Sequence, residues 1–203
     1  MKAFTCIYLL LPLLLWPLTF IVFGSKFVYA MFFSVLILAS LSLYKYGKYI
    51  KWNTMGYAKT AMAGVLFAFA LYLIFVAGYH VSAAVGLNSS VTDVYSMLYA
   101  QNNLAILVIL LAFIGLFEEI YWRGGLQGLA GKSRRFGRVP WMASTAYYTI
   151  VHIATLNPIL VIAAFAVGLV TSIVAYRYGI LASSISHILW IEAIIVFIPI
   201  IHA

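Results

Sequence analysis

Apolar residues run in blocks of about twenty along this chain, and polar residues collect in the short gaps between the blocks. Seven blocks stand out, at about 3–23, 27–44, 60–80, 104–122, 139–157, 158–176 and 180–200. A helix needs about 20 mostly apolar residues to cross a bilayer, so each block predicts a transmembrane helix. Two of the gaps are only turns. Asn157-Pro158 stops one helix and starts the next, and Tyr178-Gly179 makes a tight bend. The polar stretch within 81–103, Asn88-Ser89-Ser90 with Thr92 and Asp93, leaves room for an interfacial or re-entrant element. The first block follows Lys2 and has no small-residue cleavage site behind it, so it reads as a first membrane helix rather than a signal peptide. The pattern predicts an all-α fold, a polytopic membrane bundle of about seven helices, forming one domain over 1–203. It contains no internal repeat, low-complexity tract or linker.

Composition agrees. Apolar and aromatic residues make up 66% of the chain and charged residues 8%, where a soluble domain carries about a quarter. The net charge of +8 suggests nucleic acid until the basic residues are located. With the N-terminus in the cytoplasm, Lys2, Lys45, Lys48, Lys51, Lys59, Lys132, Arg134, Arg135, Arg138 and Arg177 share the cytoplasmic side. Arg123 joins them at the predicted end of the fourth helix, and Lys26 alone among the 12 Lys and Arg lies outside. That is the positive-inside pattern of a membrane protein with its N-terminus inside, and it makes the bilayer, not nucleic acid, the partner. A single cysteine, Cys6, excludes an intrachain disulfide and a multi-cysteine metal site.

The chemistry is concentrated in very few residues. Of the four acids, Asp93, Glu118, Glu119 and Glu192, three fall within predicted membrane helices. An acid at the bilayer centre costs about 2.5–3.5 kcal/mol on insertion scales, so such residues face a protein interior or a wet cavity. Arg123 follows Glu119 by four residues and shares its helix face, which suits an ion pair. The plain alternative makes Arg123 a surface anchor and Glu119 its partner, but it leaves Glu118, about 100° around the helix, unexplained. His152 and His187 lie inside later helices. Each alone suits a helix-packing hydrogen bond; together with the carboxylate pair they suit a site. His80 and His202 fall at outer helix ends and need no special role.

Glu118-Glu119-Ile120-Tyr121-Trp122-Arg123 is an E-E-x-x-x-R sequence on a membrane helix. Tyr148-Thr149-Ile150-Val151-His152 follows, and then Arg177-Tyr178-Gly179 ahead of Ser183-Ser184-Ile185-Ser186-His187. In order and spacing, residues 104–192 resemble the core of the CAAX protease and bacteriocin-processing (Abi) family of intramembrane glutamate-type proteases. Tyr148 stands where the family's second motif has Phe. Ile191, with Glu192 beside it, stands where the third has Asn or Asp, the amide thought to hold the developing oxyanion. Ser183, Ser184 or Glu192 are the available substitutes.

The resemblance implies an intramembrane endopeptidase that cleaves a peptide segment, often C-terminal, of a membrane-associated protein. Buried carboxylates beside histidines suit that chemistry. On this reading Glu118 is the base that activates water, assisted by His152. His187 donates to the oxyanion, and Glu119 and Arg123 hold the helix end. No cofactor is expected. The alternative is a zinc site on Glu118, His152 and His187, although the spacing is not that of H-E-x-x-H. Because Glu118 sits one turn from the predicted cytoplasmic helix end, cleavage is expected near that side. The compact chain suggests a prokaryotic inner membrane. The rival functions are a non-catalytic immunity or scaffold protein on the same fold and a proton-coupled carrier. The carrier lacks the expected repeats.

Overall fold

The computed structural model describes residues 3–101 and 103–201. Lys2 and His202 lie outside the described residues. Every regular element among them is helical. In order these are α1 (Ala3–Pro17, continued by a π turn at Leu18–Val22), α2 (Phe27–Tyr46), α3 (Tyr57–Ala84), α4 (Asn88–Tyr99) and α5 (Leu104–Glu119). A π-helical stretch, Ile120–Leu126, joins α5 without a break to α6 (Gln127–Ala130). Then come α7 (Pro140–His152), α8 (Pro158–Tyr178) and α9 (Ile180–Glu192).

Local sequence sets the boundaries. Asn103 caps α5 by accepting from the Ile106 amide, 3.1 Å, and Asn157 caps α8 in the same way from Leu160, 3.1 Å. Each cap satisfies one of the four amides that a helix start leaves unpaired. Pro140 and Pro158 occupy first-turn positions, where the missing N–H costs nothing. Gly179 joins α8 to α9 at φ 90°, ψ 165°, a backbone region essentially reserved for glycine. A Cβ there would lie 2.8 Å from Asn53 Cα and from Trp52 O. The same junction is stitched to the α2–α3 loop by Ile180 N to Lys51 O, 2.9 Å, and Leu181 N to Trp52 O, 3.0 Å. Gly179→Ala is therefore expected to cost at least ~1–3 kcal/mol, read as a lower unfolding temperature in detergent.

Among the described residues, six helices are long and apolar enough to span a membrane: Ala3–Val22, Phe27–Tyr49, Tyr57–Ala84, Leu104–Ala130, Pro158–Tyr178 and Ile180–Phe197. The predicted helix at 139–157 is shorter. It is the 13 residues of α7 with a 3₁₀ turn at Ile153–Thr155. Its ends still lie at opposite ends of the bundle. Ser144 donates to the Trp122 carbonyl, 2.9 Å, near its start, and the Asn157 side chain donates to Ser90 O on α4, 2.9 Å, just beyond its finish. The polar stretch in 81–103 becomes α4. At 12 residues α4 is too short to span. It buries Val91, Tyr95 and Leu98 and leaves Thr92 and Asp93 exposed.

One end of the bundle is basic. Exposed Lys45, Lys48, Lys51, Lys59, Lys132, Arg134, Arg135, Arg138 and Arg177 gather there, and the other end carries α4. Leu10, Leu14, Phe33, Leu66 and Phe69 are exposed on the outer surface. Such a girdle belongs against lipid. The chain is an integral membrane protein.

Candidate active site

The fourth apolar block continues past its predicted end at 122. Through the π stretch and α6 the helix runs on to Ala130, so Glu118 lies about 18 Å from that end at ~1.5 Å per residue. His152 lies about as far along α7 from Pro140, again ~18 Å. The two residues are thus level in the bundle, and Glu118 is near the middle of the continuous Leu104–Ala130 helix rather than one turn inside its end. The expectation of a shallow site does not hold. Nor is Arg123 a surface anchor, because its side chain is fully buried.

The helix can be buried for this whole length because it is thin. All seven residues from Ile120 to Leu126 are buried. A Cβ on Gly125 would lie 2.7 Å from Ser42 Oγ, and one on Gly128 would lie 2.9 Å from Tyr49 Cβ, so α2 and the turn after it pack directly on the helix backbone. Such π segments recur at functional sites.

Arg123 reaches back to Glu119, with Nη1 3.4 Å from Oε1, and its guanidinium lies over the Tyr148 ring, 4.5 Å from the centroid. The same Glu119 oxygen accepts from His187 Nδ1 at 2.9 Å. That contact turns the far nitrogen, Nε2, toward Glu118, 3.7 Å from Oε2. Tyr148 donates its hydroxyl to the same Glu118 oxygen, 3.0 Å. Glu118 Oε1 has no hydrogen-bond partner among the described residues. His187 therefore sits between two carboxylates. The four ionisable groups balance to zero net charge when both its nitrogens carry protons. A balanced cluster is the form in which buried charges are tolerated.

His152 is arranged differently. Its Nδ1 donates to the Tyr148 carbonyl, 2.8 Å, and its Nε2 accepts from Trp16 Nε1, 3.3 Å. Both nitrogens are occupied, which fixes a neutral tautomer, and neither touches Glu118. Its connection to the carboxylates runs through Tyr148, whose backbone it holds and whose hydroxyl reaches Glu118. The zinc set of Glu118, His152 and His187 is poorly arranged in consequence. His187 turns Nε2 toward Glu118, whereas both nitrogens of His152 are occupied and turned to Tyr148 and Trp16. Among the described residues no group of three or more His, Cys, Asp or Glu side chains is placed to hold a metal ion.

Glu118, Tyr148, His152 and His187 form the floor of a cavity of about 260 Å³. Its walls are apolar and include Phe75, Leu111, Ile114, Ala163, Val167 and Ile194. Ile191 lines it at the position where the family pattern has an amide. The proposed substitutes are placed elsewhere. Ser183 Oγ donates to the Ile180 carbonyl, 3.1 Å, and neither serine nor Glu192 lines the cavity. Glu192 is buried with both oxygens unpartnered among the described residues.

Tyr148 is the cavity-floor residue that motif reading passes over. Its only sequence signal is a hydroxyl where the family has Phe, four residues before His152. Hydrogen bonds to charged groups are worth ~1.5–3 kcal/mol. Tyr148→Phe is therefore expected to leave the fold intact and to slow product formation by roughly ten- to a hundredfold, measured against native protein at equal membrane level.

No curated protein and no solved structure matches the chain significantly. A family model does match, over residues 100–191, and its description is type II CAAX prenyl endopeptidase Rce1-like. The matched segment covers nearly half of the sequence and holds Glu118, Glu119, Arg123, Tyr148, His152 and His187. It is the segment in which the E-E-x-x-x-R and both histidine motifs were found. Over residues 100–191 the chain is therefore similar to the CAAX protease family.

Proposed function

We propose that this protein is an intramembrane endopeptidase that hydrolyses a peptide bond of a membrane-associated protein, with Glu118 as the base that activates water. The observation that carries this reading is the floor of the cavity, where a carboxylate with one unpartnered oxygen faces the free nitrogen of a carboxylate-held histidine.

Glu118 takes a proton from the attacking water as its oxygen adds to the scissile carbonyl carbon. The carbonyl oxygen becomes an oxyanion and receives a hydrogen bond from His187 Nε2–H. Glu119 accepts from Nδ1–H and so keeps the imidazole turned for that task. When the tetrahedral species collapses, the C–N bond breaks and Glu118 returns its proton to the leaving amine. Arg123 offsets the charge of Glu119. Tyr148 and, through its backbone, His152 are positioning residues that fix the carboxylate of Glu118. Ile191 removes the family's second oxyanion donor, so His187 carries this task among the cavity-floor side chains.

The reaction proceeds without a metal on this account. In membranes carrying the native chain, a cleavage product absent from membranes lacking the chain is expected to form, and a chelator is expected to leave its rate unchanged. Chelator sensitivity would move the case to metal-assisted hydrolysis. Unchanged processing with Glu118→Gln would leave a binding protein on a protease fold, the reading that Ile191 favours.

A further inference from the structure

We propose that the cavity takes its substrate from the end of the bundle opposite the basic loops, so that the scissile segment comes from the extracytoplasmic half of the membrane. The word substrate rests on the proposed hydrolase; the route rests on the packing alone. It reverses the expectation of cleavage near the cytoplasmic side.

The walls locate the opening. From α3 the cavity is lined by Ile74, Phe75, Gly78, Tyr79 and Ser82, all in the half of that helix that leads to α4. From α8 it is lined by residues between Ile159 and Val167, the half that starts at the Asn157 cap. From α9 and the π turn that follows it at Ala193–Phe197, the cavity is lined by His187, Trp190, Ile191, Ile194 and Ile195, moving away from the basic end. Val91, Val94 and Leu98 of α4 complete the rim. The cavity thus extends from Glu118 toward the α4 end of the bundle.

The other direction is closed. Beneath Glu118 lie Tyr121, Trp122 and Arg123, all buried. Tyr121 donates to the Tyr8 carbonyl, 2.8 Å, and the Tyr8 hydroxyl pairs with Ser42 Oγ, 2.8 Å. Below these, Gln127 donates to the Ser172 carbonyl, 3.1 Å, and Ile50 and Tyr49 pack on Gly124 and Gly128. These layers separate the carboxylates from the exposed Lys and Arg residues. By the positive-inside rule that closed end faces the cytoplasm.

The walls also describe the occupant. The rim hydroxyl of Tyr95 is spent on the Ile194 carbonyl, 2.6 Å. A segment passing this rim finds apolar surface, so it must itself be apolar. At about 260 Å³ the cavity is below the usual ligand-pocket range of ~300–1,000 Å³, so a few residues enter and not a whole helix. The fitting partner is an apolar membrane-anchored segment that frays at its outer-leaflet end.

The test needs no activity. In a Cys6→Ser background, Ala163→Cys and Val94→Cys place thiols on the cavity walls in α8 and α4. Thr92→Cys and Arg134→Cys report the two ends. A membrane-impermeant maleimide is applied to right-side-out and to inverted vesicles. The cavity thiols are expected to label in the same vesicles as Thr92→Cys and to be at least tenfold slower in those that label Arg134→Cys. Labelling of both cavity thiols from the Arg134 side would overturn the route. So would failure to label from either side while a permeant maleimide reacts. Loss of hydrolysis in Glu118→Gln bears on the proposed function and leaves this result unaffected.

Discussion

Glu118→Gln is expected to reduce product formation by at least ~10²–10⁴-fold, the contribution of a positioned general base. The amide matches the carboxylate in shape and its oxygen can still accept from Tyr148, so the side chain keeps its place at 3.0 Å. What it loses is the ability to take a proton from water. It also removes the charge that faces His187 at 3.7 Å, while the Glu119 contacts with His187 and Arg123 that hold the cluster together stay in place. The variant should therefore reach the membrane in native amounts and bind the same segments. Its defect should appear in the chemical step.

Glu119→Ala is expected to fail in the opposite way. Glu119 is fully buried and accepts from His187 at 2.9 Å, and Arg123 approaches the same oxygen at 3.4 Å. Removing it strands a buried guanidinium that has no other carboxylate at ion-pair distance among the described residues. Removing one partner of a buried pair costs about 3–5 kcal/mol, which is a large fraction of a domain's stability. The expected readout is a much lower folded yield in detergent and an unfolding temperature far below that of Glu118→Gln. Comparable unfolding temperatures for the two variants would show that Glu119 does not organise the cluster.

Scarcity made much of the site legible. In a chain with four acids, a carboxylate pair inside an apolar block cannot be decoration, and the helical spacing of Glu119 and Arg123 foretold their ion pair. The membrane helices and their turns were equally plain, since lipid leaves few alternatives to a long apolar helix. Depth was not legible. Hydropathy ended the fourth helix near Trp122 because Arg123-Gly124-Gly125 reads as a loop, whereas the small residues there permit a buried helix under α2 and Tyr49. Cutting the helix at Trp122 makes Glu118 shallow and Arg123 exposed, whereas the continued helix buries both. Pairing was also hidden. Helical periodicity places residues on a face, but it could not show that His187 meets both carboxylates while His152 turns to Trp16. The hydroxyl of Tyr148 was read as a substitute for an aromatic ring, and its bond to Glu118 is visible only when α5 and α7 are packed.

The central claim is that Glu118 activates water for peptide hydrolysis, and the most direct test compares single-turnover cleavage by native and Glu118→Gln protein in proteoliposomes. The substrate is the membrane segment whose product appears only in cells that carry the native chain. Both proteins are loaded at equal folded amounts. The expected result is substrate bound by both and cut by the native protein alone, with the variant at least ~100-fold slower. Equal cleavage rates at equal folded amounts would contradict the account.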